Sequence, residues 1–262
     1  MPTVASSDQT SIHYRVIGEG PRNVLLVHGW MMSGEVFNEL VELTDTTGLR
    51  LVIPDLRGSG GSGAPASGYT LEQHARDVLA VADHAGLERF TVVGHSMGGQ
   101  LAQWVAAQAP SRVEGLVLLN TVPASGMQLP PDAVGLFRTS ANDTEKQKII
   151  LGLACKQLSP EALERLLKVA GAVAKGSIEG SFDAWTGGGF EAKLASITAP
   201  TLVVATDDPF LPPAFLREAV VRPIQNARLV YLPGPGHYPQ VERPAETAAL
   251  LTSFLTGLGR AA

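Results

Sequence analysis

The group in this sequence whose setting points most directly to covalent chemistry is a serine between glycines, Gly94-His95-Ser96-Met97-Gly98. It follows the apolar run Phe90–Val93 and opens the helical pattern GGQLAQWVAAQAP, the strand–turn–helix setting of a nucleophile elbow. The setting accounts for the glycines. In so tight a turn, the residues two before and two after the serine crowd one another, and a side chain on either clashes. Ser96 itself is expected in a strained backbone conformation with its Oγ raised above the sheet edge. The helix that follows points its N-terminus at the site and favours negative charge developing there.

A serine hydroxyl is a weak nucleophile at neutral pH and needs a base within hydrogen-bonding reach. Of the six histidines, His237 stands in YLPGPGHYPQVERP, after an apolar strand and before the last helix. In a parallel sheet that loop lies at the same strand-end side as Ser96. His74 and His84 fall in a helical pattern and read as surface or packing residues. His95 adjoins the serine in the turn and is expected to point elsewhere; His28 precedes Gly29 and reads as a loop-orienting residue, and His13 lies on an early edge strand. The base in turn needs a carboxylate to fix its tautomer and stabilise the imidazolium. PTLVVATDDPFLPP ends a strand with Asp207 and Asp208, either of which meets that need, and the chain order Ser, Asp, His suits the elbow. An oxyanion needs backbone N–H donors. Met97, next after the serine, supplies one. The loop VLLVHGWMMSG supplies the other from Trp30, with Gly29 allowing close backbone approach. Trp30 and Met31 also offer an apolar wall, whereas Met32 reads as core.

The elements that must position these groups are legible as well. NVLLVHG, LRLVIPD, FTVVGHS, VEGLVLLN, PTLVVAT and ARLVYLPG are near-continuous apolar runs that suit strands covered on both faces, and SIHYRVIG alternates like a half-exposed edge strand. Helical patterns lie between several of them. LEQHARDVLAVADHAGL puts Leu71, Ala75, Val78, Leu79 and Ala82 on one face and stops at Gly86. Strands alternating with helices predict an α/β protein with a mostly parallel, doubly wound sheet. The stretch from Asn120 to Pro200 is far longer than one crossover requires. Residues 122–196 are therefore expected to form an inserted, mainly helical cap, with residues 1–121 and 197–262 as the core. Within the cap, Ser159 before Pro160 predicts an N-cap with proline in the first helical position.

The chain has 262 residues, 45% of them hydrophobic, with a net charge of −5, and its basic residues are scattered. That balance suits one domain with an insertion and suggests neither a nucleic-acid nor a membrane partner. A single cysteine, Cys155, excludes an internal disulfide. The opening MPTVASSDQTSIHYR has neither a basic n-region nor an apolar h-region, so a secretory signal is not expected, and a cytoplasmic location is. No His/Cys cluster and no phosphate-cradling motif is present, so no metal and no cofactor is implied. The sequence sets no oligomeric state.

Taken in order, HGW, DLRGSGGS, GHSMGG, TDDPFLP and GPGHYPQVERP resemble the α/β-hydrolase fold family over nearly the whole chain. HGW with GHSMGG looks like its aryl-esterase and cofactor-free perhydrolase branch. The family's acid stands four residues before a proline, in G-x-x-D-x-x-x-P. Asp208 and Pro212 match that register, with Ala205 in place of the glycine, so the resemblance selects Asp208. It implies a structural role for Asp55 and Arg57; Ser59 replaces the histidine common in that segment. Ser96 also excludes the fold's epoxide hydrolases and haloalkane dehalogenases, which carry Asp at this position, and His95 weighs against carbon–carbon bond hydrolases, which often carry Asn there. The expected activity is hydrolysis of small to medium hydrophobic carboxylic esters through an acyl-enzyme on Ser96, with His237 as base. Met31, Phe182 and Trp185 are expected at the substrate, a small hydrophobic ester or lactone. Lactonase, thioesterase, a perhydrolase side activity, or a ligand-binding receptor on the same residues are the alternatives.

Overall fold

The computed structural model describes residues 2–259; the outermost positions of the expected core, residue 1 and residues 260–262, lie outside the described residues. Among the described residues, eight strands form one sheet: β1 (Thr3–Ala5), β2 (Ser11–Ile17), β3 (Arg22–Val27), β4 (Leu49–Pro54), β5 (Phe90–His95), β6 (Val113–Leu119), β7 (Thr201–Ala205) and β8 (Ala227–Tyr231). Their spatial order is β1-β2-β4-β3-β5-β6-β7-β8. The β1–β2 and β2–β4 pairs are antiparallel, and every other pair is parallel. After β3 the chain goes to one side of it for β4 and to the other for β5. The carboxyl ends of β3 and β5 thus flank the place where winding reverses, which is where open α/β sheets hold ligands.

Among the described residues, ten α-helices accompany the sheet. Those of the first half are α1 (Asn38–Leu43), α2 (Leu71–His84) and α3 (Met97–Gln108). Four follow between β6 and β7: α4 (Pro131–Arg138), α5 (Thr144–Ala154), α6 (Pro160–Gly171) and α7 (Lys175–Gly187). The last are α8 (Pro213–Leu216), α9 (Pro239–Glu242) and α10 (Pro244–Leu258). Local chemistry sets several boundaries. The Ser159 side chain accepts from Ala162 N–H, with Pro160 opening α6. Thr70 caps α2 through Gln73 N–H, and Gly86, at φ 69°, carries the chain away from its end.

The central strands β3, β5 and β7 are apolar runs because helices cover both faces: Val24 to Val27, Phe90 to Val93 and Leu202 to Ala205 are all buried. Two expectations at the rim are corrected. Ser11–Ile17 is not the outermost strand, because the three-residue β1 pairs along it. Ala227–Tyr231 is not covered on both faces; it closes the sheet edge, with Arg228 and Tyr231 exposed. A run too short to show alternation, and an edge strand rich in Leu and Val, leave no distinguishing pattern in one dimension.

Arg57 ties the N-terminal segment to α2. Its guanidinium is fully buried and bonds Asp77, at 2.6 Å from Nε and 2.7 Å from Nη2, and also reaches Asp8 at 2.8 Å. Nearby, Ala174 N–H donates to Gly58 O at 2.8 Å, which anchors the start of α7 to the same loop. Removing one member of a buried pair strands the other charge. Asp77→Ala is therefore expected to lower unfolding free energy by about 3–5 kcal/mol. Asp8→Ala, at the partly exposed end, is expected to cost about 1 kcal/mol or less. Urea unfolding of the two variants checks this, and equal losses would contradict it.

Candidate active site

Ser96 stands between the end of β5 and the first residue of α3, at φ 54° and ψ −122°. A non-glycine residue reaches that conformation only where its surroundings over-determine it. The surroundings are backbone. A Cβ on Gly94 would lie 2.2 Å from Gly98 O, and one on Gly98 would lie 2.1 Å from Val27 O. The chain on either side of the serine is thus packed backbone to backbone, as the sequence reading of the glycines requires. Ser96 makes no side-chain cap to α3, so its hydroxyl is not committed to the helix. A Cβ on Gly29 would come 3.0 Å from Ser96 Cβ, which brings the loop after β3 against the serine. Met97 opens α3, where a helix leaves its first N–H groups without intrahelical acceptors.

His237 follows β8 and lines the same cavity as Ser96. Its Nδ1 lies 2.6 Å from Asp208 Oδ2, and Asp208 is buried. A carboxylate can only accept, so Nδ1 carries the proton and Nε2 is left for another partner. Asp208 Oδ1 accepts from Phe210 N–H at 2.8 Å, which fixes the carboxylate at the end of β7. Asp207 is engaged elsewhere: it accepts from the Tyr231 hydroxyl and, at 3.1 Å, from Gly234 N–H.

The peptide carbonyl of His237 is held from behind. His95 Nε2 is 2.9 Å from it and Asn120 Nδ2 is 3.1 Å from it. The His95 ring is not part of the cavity that holds Ser96 and packs 4.9 Å from that of His237. No periodicity marks such a residue, because its partner lies 142 positions away. The bond fixes the proton of His95 on Nε2, and Nδ1 is buried without a partner. His28 bridges two loops, with Nδ1 on Gly29 O and Nε2 accepting from Leu56 N–H, both within 2.9 Å.

The cavity is lined by Trp30, Ser96, Val122, Met127, Phe137, Ile150, Ala154, Trp185, Phe210, Leu211, His237 and Tyr238. Trp30 and Trp185 are thus at the wall, but Met31 and Phe182 are not. Met31 is turned into the core at φ 63°, and Phe182 stands behind the wall, 5.2 Å from the Trp185 ring. Trp30 stacks on Phe137 at 5.5 Å, and its indole N–H donates to Ile178 O at 2.8 Å. Half of the lining residues come from the stretch between β6 and β7, where apolar side chains serve core and cavity alike and nothing in the sequence separates the two uses. A groove of about 780 Å³ opens beyond Met127 and Phe210, which line both spaces. Among the described residues, no group of three or more His, Cys, Asp or Glu is arranged to hold a metal ion, and no helix is long and apolar enough to cross a membrane.

Burial holds three histidines neutral. It keeps His28 and His95 below the usual imidazole range, His95 further lowered by His237 beside it. His74, whose Nε2 bonds Ser181 Oγ at 2.9 Å across α2 and α7, is brought to about 3 by burial and then by Arg57. Each takes up a proton on unfolding once the pH falls below about 6.5. Stability is therefore intact above that pH and is lost as the pH drops toward the folded-state values, at about 1.4 kcal/mol per unit for each such proton. The urea midpoint is expected to fall between pH 7 and pH 5, and to fall less in His74→Gln. Equal falls in the two proteins would contradict this.

Comparison with known proteins agrees with this architecture. The family model described as "alpha/beta hydrolase fold" matches residues 22–147. A non-heme haloperoxidase of Rhodococcus erythropolis is 31% identical over 90% of this chain and 93% of its own. Among solved structures, Est816, described as an N-acyl homoserine lactone degrading enzyme, superposes with a TM-score of 0.83 at 30% identity, over 97% of this chain and 100% of that one. An esterase from Exiguobacterium antarcticum superposes with a TM-score of 0.90 over 97% of this chain and 98% of that one; at 24% identity it speaks to the fold alone.

Proposed function

Because the chain belongs to the alpha/beta hydrolase fold family, we propose that it is a serine hydrolase cleaving carboxylic esters of small to medium hydrophobic substrates through an acyl-enzyme. The observation that carries this reading is the 2.6 Å pair of His237 with the buried Asp208, on a cavity that also contains the strained Ser96. With Nδ1 committed to Asp208, Nε2 is the basic nitrogen available to the serine. In the proposed reaction Ser96 Oγ attacks the ester carbonyl while its proton passes to Nε2. The N–H groups of Trp30 and Met97 stabilise the resulting oxyanion. The alcohol leaves with the proton from Nε2. A water that gives its proton to the same nitrogen then attacks the acyl-enzyme, and the acid is released.

Charge changes suit this cycle. The imidazolium formed in each half lies against Asp208, whereas His95 and His28 are kept neutral by burial and add no like charge. The apolar wall of Trp30, Val122, Phe137, Ile150 and Trp185 favours hydrocarbon or aryl groups over sugars and phosphorylated compounds. In this reading residues 122–196 are a cap over the site, and substrate enters from the groove past Met127 and Phe210.

The relatives widen the reading in two directions. The lactone-degrading enzyme supports lactones as substrates, since the same attack opens a ring ester. The non-heme haloperoxidase supports a perhydrolase side activity. There hydrogen peroxide replaces water: its oxygen bonds the acyl carbon, the bond to Ser96 Oγ breaks, and a peracid leaves with the serine restored.

A series of p-nitrophenyl esters and lactones of graded size tests the reading. Wild type is expected to turn over at least the shorter apolar members. Ser96→Ala should lose activity to the background rate, Asp208→Asn about 10³- to 10⁴-fold, and Asp207→Asn little. No turnover by wild type, or an active alanine variant, would overturn it.

A further inference from the structure

The carboxylate of Glu242 is not used by the proposed reaction, yet it is buried beside it. Glu242 ends α9, directly after the loop that carries His237. Its Oε2 accepts from Lys156 N–H and Gln157 N–H at 2.8 Å each and from Gly236 N–H at 2.9 Å. Its Oε1 accepts from Tyr238 N–H at 3.0 Å. One side chain thus collects four backbone donors from two distant segments. Two lie just past the end of α5, and two flank His237 in sequence. Such a carboxylate is held by oriented amide dipoles rather than by a cation, and each N–H would be stranded without it.

The two segments touch elsewhere as well. His237 N–H donates to Ala154 O at 2.8 Å. A Cβ on Gly236 would lie 2.2 Å from that same oxygen, so only glycine permits the approach. Ile150 and Ala154 of α5 are part of the cavity wall. Cys155, between them and Lys156, is pushed well above its usual thiol range by burial and by the nearby charges of Glu242 and Asp208, so it stays a protonated thiol.

We propose that Glu242 is a positioning residue that locks the His237 loop onto the end of α5, so that the base and the apolar wall facing it are placed as one unit. The role rests on the proposed hydrolase reading for its catalytic consequence, but the clamp itself does not. A neutral amide cannot replace the carboxylate: its NH2 would oppose N–H donors on one edge. Misplacement of a reacting group by about 1 Å costs on the order of 100-fold in rate, and loss of the clamp is the kind of change that produces it.

Two measurements test this, one of them without any variant. In wild-type protein, amide hydrogen exchange read by NMR is expected to show Lys156, Gln157, Gly236 and Tyr238 protected together, although they lie outside the long helices and the sheet. Exchange at open-loop rates would overturn the clamp. In Glu242→Gln, kcat on the best p-nitrophenyl ester is expected to fall about 10- to 100-fold with KM little changed. The His237 Nδ1 proton signal should at the same time broaden through faster solvent exchange. Arg243→Ala, which removes the exposed Arg243–Gln157 bridge between the same segments, should leave both readouts near wild type. An unchanged kcat and an unchanged Nδ1 signal in folded Glu242→Gln would overturn the positioning role. If wild type turns over no ester, the hydrolase reading fails while exchange and the Nδ1 signal still decide the clamp.

Discussion

The backbone contact between Gly94 and Gly98 is the constraint on which the site depends. The two peptide segments are so close that a Cβ on Gly94 would lie 2.2 Å from Gly98 O. The tight turn between them holds its middle residue, Ser96, at φ 54°, a conformation costing of order 1–3 kcal/mol for a side chain with a Cβ. The sheet supplies the support. β5 is paired on both sides, to β3 and to β6, and Ser96 N–H bonds Leu119 O at 3.1 Å. A turn hung on an edge strand would have no such brace.

The same geometry organises the polar groups. Trp30 follows β3, Ser96 follows β5, Asp208 follows β7 and His237 follows β8. Parallel pairing therefore delivers all four to one rim of the sheet, although they come from distant parts of the chain. Around them the protein keeps its other imidazoles neutral. His28 and His95 each spend one nitrogen on a carbonyl, and burial disfavours their charged forms. The Asp208 carboxylate is thus the nearest charge to His237 by direct contact, which is the electrostatic asymmetry that serine ester chemistry requires.

Much of this was legible in the sequence because it is local. Gly94-His95-Ser96-Met97-Gly98 announces a turn through the types of five neighbours, and the apolar runs announce strands through composition. His237 and the Asp207–Asp208 pair could be placed at strand ends from the same runs. The rest depends on contacts across the fold. The cavity wall drew on Met127, Phe137, Ile150 and Phe210 rather than on Met31 and Phe182, because an apolar side chain on a helix or loop does not reveal whether it meets a void or the core. The support of His237 by His95, Asn120 and Glu242 was equally hidden. Each is a polar residue whose partner is backbone, and backbone acceptors and donors leave no trace in residue identity.

The central claim is that His237, steered by Asp208, makes the hydroxyl of Ser96 reactive. The most direct measurement is covalent labelling with a fluorophosphonate, followed by peptide mass spectrometry, because it reads that hydroxyl without a choice of substrate. The expected result is one label per chain, on Ser96, in wild type, and a labelling rate lowered by orders of magnitude in folded His237→Gln. Labelling at another residue, or an undiminished rate in the histidine variant, would contradict it.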